Sequence, residues 1–187
     1  MYLNLLLQNN MLPPDPNKPY PKETESDAVI RFQDCDPLGH LNNAKYFDYF
    51  FNAREDQVTK VYGYSPGEIY KRFGCSWVVY NHNISYIRSV TFGEWVKIMS
   101  RVIYYDINTV VVEYYMTDQA KQKLICLLWT TTKYVDVRTG KTTSHHPEVL
   151  RLLEVMKLKD FQMDSISIKE RIRQIKQELS AANYPAT

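Results

Sequence analysis

Residues 34–43 read Asp34-Cys35-Asp36-Pro37-Leu38-Gly39-His40-Leu41-Asn42-Asn43. Pro37 fixes φ and lacks an N–H, Gly39 tolerates a left-handed backbone, and Asp before Pro commonly starts a turn. The stretch therefore predicts a tight reversal with carboxylates on its upstream arm. Downstream, an Asn side chain can accept from the free N–H groups of a first helical turn, so Asn42 or Asn43 predicts a helix start. From Asn42 to about Tyr62 no Pro or Gly interrupts, and Phe47, Phe50, Phe51, Val58, Val61 and Tyr62 recur at three- and four-residue spacings, which is helical periodicity. Gly63 stops that helix.

Upstream, Ala28, Ile30 and Phe32 alternate with charged neighbours and predict a first strand over residues 25–33. A second, shorter helix is expected from Ser65 to Phe73, with Pro66 at its first position and Gly74 just past its end. Four strands follow near 75–88, 94–105, 109–118 and 123–137, separated by Thr91-Phe92-Gly93, Asp106-Ile107-Asn108 and Asp118-Gln119-Ala120. Connections this short imply antiparallel pairing, because parallel crossovers need about a dozen residues or more. The tail returns to helical signals, from Pro147 to about Leu158 and again from Ser167. There Glu170 completes a capping box, and Ile168, Ile172, Ile175 and Leu179 share one face. Residues 12–22 carry five prolines and predict an extended leader. The expected organisation is a leader over 1–23, one domain over 24–138 and a helical C-terminal appendage over 139–187.

A chain of 187 residues with 44% hydrophobic content can bury one sizeable core, and its 15 tyrosines suit the half-buried faces of a sheet. A net charge of +2 is too small for a nucleic-acid partner, which would need a strongly basic face. Cys35, Cys75 and Cys126 suggest neither a disulfide framework nor a metal knuckle, so a reducing cytoplasm is the expected setting. The apolar run within Met1–Met11 lacks a preceding positive charge and a cleavage site, and no run reaches the roughly 18–20 residues that would span a bilayer. No membrane association is expected.

A long helix apolar on most sides, with a five-stranded antiparallel sheet available to wrap it, defines an α+β architecture. At this point residues 34–43, followed by Tyr46, Tyr49, Phe50 and Arg54, resemble the first-strand and helix-start signature of the 4-hydroxybenzoyl-CoA thioesterase-like hot-dog family. The segment Tyr86-Ile87-Arg88-Ser89-Val90-Thr91-Phe92-Gly93-Glu94 is similar to the same family's link between its second and third strands. The resemblance covers about residues 24–138. It implies a hot-dog fold, a five-stranded antiparallel sheet around a long central helix, here with extra C-terminal helices, and hydrolysis of an acyl-CoA thioester without metal or other cofactor. It also implies Asp36 as the catalytic carboxylate and the backbone N–H of Asn43 as the oxyanion donor.

The chemistry of the residues agrees with that assignment. A thioester carbonyl becomes an oxyanion when attacked, and the start of a long helix offers free N–H groups and a positive dipole end. Asp36 precedes Asn43 by seven residues across the turn, where it can act as nucleophile or as general base on water. The same residue also reads as an ordinary Asx-Pro turn starter. Asp34 reads as a solvated strand-end charge. Gly39 would let the carbonyl approach closely. His40 can orient substrate or tie the loop to the sheet, and Asn42 can bind substrate or cap the helix. Glu55, twelve residues along the helix from Asn43, stands about 18 Å away and cannot serve the same carbonyl. Arg88, Lys121 and Lys133 are candidates for the coenzyme A phosphates, Arg88 foremost. His145-His146-Pro147-Glu148 reads as a helix-start loop and not a metal site. Exposed sheet edges and an open site imply a homodimer or homotetramer. An acyl carrier protein as the carrier, or a non-catalytic acyl-binding module of the same fold, are the rival readings.

Overall fold

The computed structural model describes residues 18–183. Strands β1 (Thr24–Val29), β2 (Cys75–Tyr86), β3 (Trp95–Tyr105), β4 (Thr109–Asp118) and β5 (Leu124–Asp136) form one sheet, and helices α1 (Tyr46–Tyr62), α2 (Pro66–Phe73), α3 (Pro147–Met156) and α4 (Ile168–Asn183) flank it. Strand order is β1-β3-β4-β5-β2 with every neighbour antiparallel, so β1 and β2 are the two edges. This is the hot-dog α+β arrangement expected from the sequence. The first 17 residues, including most of the Pro-rich leader and the Met1–Met11 run, lie outside the described residues.

Alternation along β4 shows how the sheet is covered. Val110, Val112, Tyr114 and Met116 face inward to a core shared with Phe50, Ala53 and Val58 of α1. Val111 and Tyr115 face outward into separate apolar clusters, as a two-residue period requires. Helix α4 closes that outer face: Ile168, Ile172, Ile175 and Leu179 pack on Met99, Tyr115, Leu124 and Leu127. Beneath it Glu113, fully buried, accepts from Arg101 Nε (2.6 Å), Arg171 Nε (3.1 Å) and Trp129 Nε1 (2.8 Å). Helix α3 packs through Val149, Leu152, Leu153 and Met156 into the same core as α1.

Two sequence expectations are corrected. The first strand ends at Val29, not near residue 33, and Phe32–Asp34 form a 3-10 turn. Tyr49 of α1 causes the change: its hydroxyl accepts from Arg31 N–H (2.9 Å) and donates to the Asp34 carboxylate (3.0 Å), which ends strand pairing by supplying side-chain partners. The alternation continued through Phe32, but that ring is 78% exposed and meets Phe92 edge-on. The long helix begins at Tyr46, not at Asn42. Asn42 Oδ1 accepts from Ala44 N–H (3.0 Å) and its carbonyl from Lys45 N–H (2.8 Å), so Asn42 closes a turn ahead of the helix. Ser65, Pro66 and Gly74 take their expected places around α2, with a reciprocal Ser65–Glu68 capping box.

Candidate active site

Residues 34–42 fold back on themselves as a short hairpin. Asp36 N–H donates to His40 O (2.7 Å), Cys35 bridges Leu41, and Asn42 N–H donates to Asp34 O (3.0 Å). Gly39 sits at φ +78°, a backbone that favours glycine, and its N–H donates to Asp36 O (2.9 Å). Asp36 Oδ1 accepts from Leu38 N–H (2.9 Å) and His40 N–H (3.0 Å), while Oδ2 has no hydrogen bond among the described residues. The carboxylate is thus fixed through one oxygen with the other unengaged.

The downstream arm leads directly to Asn43, two residues past Leu41, and so to the same corner as Asp36. Among the described residues no hydrogen bond takes the Asn43 N–H. Its carbonyl accepts from the Tyr86 hydroxyl (2.9 Å), and the Tyr86 ring meets Tyr46 edge-on at 5.2 Å. Tyr86 therefore anchors the helix-start turn from β2. Sequence reading missed this role, since the partners stand 43 residues apart. The outer side of the hairpin is held by Leu41 N–H to Val90 O (2.9 Å), Phe92 N–H to Gly39 O (3.3 Å) and a His40–Thr91 bridge.

The other candidates divide. His40 is half-buried, and its imidazole makes no hydrogen bond among the described residues. Asn42 has its side-chain oxygen occupied by the turn, as above. Arg88, two residues past Tyr86, is exposed, and its N–H donates to Ile125 O (3.1 Å). Lys121 is instead paired with Glu25, and Lys133 with Thr109 (2.7 Å), so neither side chain is free for a phosphate. Asp34 is not the solvated charge expected: its side chain is 16% exposed and engages both Tyr49 and Lys45 (3.8 Å). Cys35 donates to Arg31 O (3.4 Å), and burial, followed by the charges of Asp36 and Asp34, pushes its thiol up, away from a reactive thiolate. His146 accepts from Glu148 N–H at the start of α3, and buried His145 accepts from Trp77 Nε1 (3.0 Å), both structural roles. Among the described residues no cluster of three or more His, Cys, Asp or Glu is arranged for a metal.

A cleft of about 410 Å³ lies between the second half of α1 and the inner face of β2, β4 and β5. Phe51, Val58, Trp77, Val112 and Tyr114 are among its walls, with Arg54 and Glu55 on the α1 side. Arg54 Nη1 donates to Ser100 Oγ (3.1 Å). Burial pushes the Tyr64 and Tyr114 phenols up to about 12, so both walls stay neutral. His82, which meets the lining residue Phe51, has its imidazole pushed down by burial.

A family model described as the thioesterase-like superfamily matches residues 30–153. No curated protein matches the chain. Among solved structures, the probable thioesterase YbaW of Escherichia coli superposes with TM-score 0.64 at 21% identity, covering 72% of this chain and 99% of that one. Slr0204, a 1,4-dihydroxy-2-naphthoyl-CoA thioesterase of Synechocystis, gives 0.63 at 10% identity over 70% of this chain and 95% of that one. A 12:0-ACP thioesterase of Umbellularia californica gives 0.67 at 16% identity over 78% of this chain and 55% of that one. At such identities the likeness establishes a common fold. Among the described residues no helix is long and apolar enough to cross a membrane.

Proposed function

The chain belongs to the thioesterase-like superfamily, and from that premise we propose that it hydrolyses acyl-CoA thioesters, with Asp36 as catalytic carboxylate and the Asn43 N–H as oxyanion donor. The observation that carries this reading is the hairpin of residues 34–42. It fixes Asp36 through one oxygen and leads into the unclaimed Asn43 N–H at the same corner. The thioester carbonyl oxygen takes the Asn43 N–H, and the developing negative charge is stabilised there, about 3–4 kcal/mol for one such donor. Asp36 Oδ2 either adds to the carbonyl carbon or removes a proton from an attacking water. In the first case the carbon–sulfur bond breaks to a mixed anhydride and thiolate, and water then hydrolyses the anhydride. In the second, water adds directly. Both routes consume one water and release free acid and coenzyme A.

Around this centre, Gly39 admits the substrate, His40 and Asn42 border it, and Arg88 meets a phosphate of the carrier. No metal or other cofactor takes part. The exposed β2 edge, with Tyr80 at 73% exposure, receives a second copy, giving a homodimer or homotetramer. Three free thiols suit a reducing cytoplasm. Acyl carrier protein is the alternative carrier.

One observation favours a non-catalytic acyl-binding module: both bonds to Asp36 Oδ1 come from backbone N–H groups within four residues, the pattern of a structural Asx turn. The two readings part on Asp36→Asn, which keeps an acceptor for Leu38 and His40 but removes the charge. Thiol release from acyl-CoAs should then fall at least about a hundredfold, the low end for a positioned acid–base group, with folding intact by circular dichroism. Asp34→Asn should cost far less. Retained activity in Asp36→Asn, with loss in Asp34→Asn or Glu55→Gln, would reassign the carboxylate. Absence of thiol release from every acyl-CoA by the parent would favour the module.

A further inference from the structure

The 410 Å³ cleft is not lined by any residue of the Asp36–Asn43 corner, yet the two lie on one line along the flank between α1 and β2. Phe51, the lining residue nearest the helix start, is five residues past Tyr46, about 8 Å along the helix axis. Val58 is twelve residues past Tyr46, about 18 Å. A strip of rings bridges the interval. Tyr46 and Tyr86 meet at the Asn43 turn (5.2 Å), Phe47 and His82 come next (4.9 Å), and His82 then meets Phe51 (5.7 Å). Tyr46 is buried, while Phe47, His82 and Phe51 each keep part of their surface exposed, where a ligand can be laid over them. Away from the helix start, α3 also contributes to the lining: Leu153 and Met156 are buried, and the Tyr64 hydroxyl donates to Met156 Sδ (3.7 Å).

Resting on the thioesterase reading of the Asp36 corner, we propose that this cleft receives the distal part of a long, unbranched acyl chain, and that Tyr64, Leu153 and Met156 set its greatest length. The walls are predominantly aliphatic and aromatic, and the volume lies in the range of sites that enclose a small ligand. An acetyl or benzoyl group held at Asn43 ends before Phe51 and gains nothing from the cleft. A fatty acyl chain passes the rings and buries its terminal methylenes, each worth about fourfold in affinity. His82, tilted against both Phe47 and Phe51, continues the ring surface along which the chain would run. Helix α3 therefore does more than brace the sheet, because it supplies the stop.

The experiment measures kcat/KM of the full chain for acetyl-, benzoyl-, octanoyl- and palmitoyl-CoA, and displacement of a fluorescent fatty acid by free palmitate or butyrate. Both are repeated for Met156→Trp and Met156→Ala. The parent should prefer palmitoyl- to acetyl-CoA by at least about a hundredfold, as several buried methylenes require, and bind palmitate but not butyrate. Met156→Trp, filling the α3 end, should lower the ratio of palmitoyl to octanoyl kcat/KM at least about tenfold; Met156→Ala should raise or preserve it. A flat profile, a preference for acetyl- or benzoyl-CoA, or an unchanged ratio in folded Met156→Trp overturns the proposal. If Met156→Trp does not fold, the parent profile and palmitate displacement decide. If no acyl-CoA is hydrolysed but palmitate binds and butyrate does not, the thioesterase reading falls and the pocket assignment stands. If palmitate does not bind either, both fall.

Discussion

Replacing Glu113 by Gln tests whether the tail is held by charge or merely by contact. Glu113 is fully buried on the outer face of the sheet, between the guanidiniums of Arg101 and Arg171, which are themselves 6% and 3% exposed. Burial alone would raise its pKa, but the charges of Arg101 and Arg171, with hydrogen bonds from Arg171 and Trp129, outweigh that and hold it below the ordinary carboxylate range. Glutamine keeps the shape and one acceptor but leaves two buried cations. Their remaining ion-pair partners, Glu23 and Glu178, sit at the more exposed rim. Breaking a buried pair from one side costs about 3–5 kcal/mol. Taking about 3 kcal/mol for the isostere, at roughly 2–4 °C per kcal/mol for a chain of this size, the melting temperature should drop roughly 6–12 °C. Thermal unfolding by circular dichroism reads it directly. Adding Arg171→Met should recover part of the loss, so that the double variant is at least about 1 kcal/mol more stable than the single effects sum to. Because the depressed pKa lies in the folded state, this stabilisation is complete above the unfolded value of 4.5 and disappears as pH falls through the lower folded value. A drop of less than about 2 °C at neutral pH, or strict additivity with Arg171→Met, would refute the idea that these charges hold α4 down.

Two other expectations follow from the same structure. Cutting the chain after residue 160 removes Arg171 and the Ile168-Ile172-Ile175-Leu179 stripe, and bares Met99, Tyr115, Leu124 and Leu127; light scattering should show aggregation or a larger assembly, and an unchanged mass and melting temperature would mean that the helix is dispensable. His145 gives an acid limb: Trp77 Nε1–H can only donate and Asp106 O can only accept, so His145 is neutral with its proton on Nδ1, and burial holds its pKa below 6.5. The unfolded chain takes up that proton first, so stability is complete above about pH 6.5 and declines below it, by at most about 1.4 kcal/mol per pH unit for one such group. Melting temperatures from pH 7.5 to 5 should fall, and less steeply in His145→Gln; equal slopes would contradict this.

The distance over which residues cooperate decides what could be read from the sequence. Strands β2 to β5 began and ended close to the expected positions because their turns are written locally: Asp106 Oδ1 caps Asn108 and Thr109, and Asp118 Oδ1 caps Gln122 and Lys123, each within five residues. The Asp36 hairpin was legible for the same reason, since Pro37, Gly39 and the Asx bonds to Leu38 and His40 all act inside one short stretch. The errors arose where a distant group outbid a local one. Tyr49, fifteen residues from Asp34, draws Arg31 and Asp34 out of the strand pattern, and Asn42 spends its side chain on Ala44, so the helix starts four residues late. The cleft is the extreme case: Phe51, Tyr114 and Met156 come together only through the wrapped sheet, and nothing in the local sequence of Met156 marks it as part of a cleft wall. The fold and the Asp36 hairpin are therefore written in short contiguous segments, whereas the cleft is a property of the wrapped sheet. If the cleft takes the acyl chain as proposed, this chain could keep its Asp-Pro-Leu-Gly turn unchanged and still alter which acyl group it accepts, through a single side chain on α3.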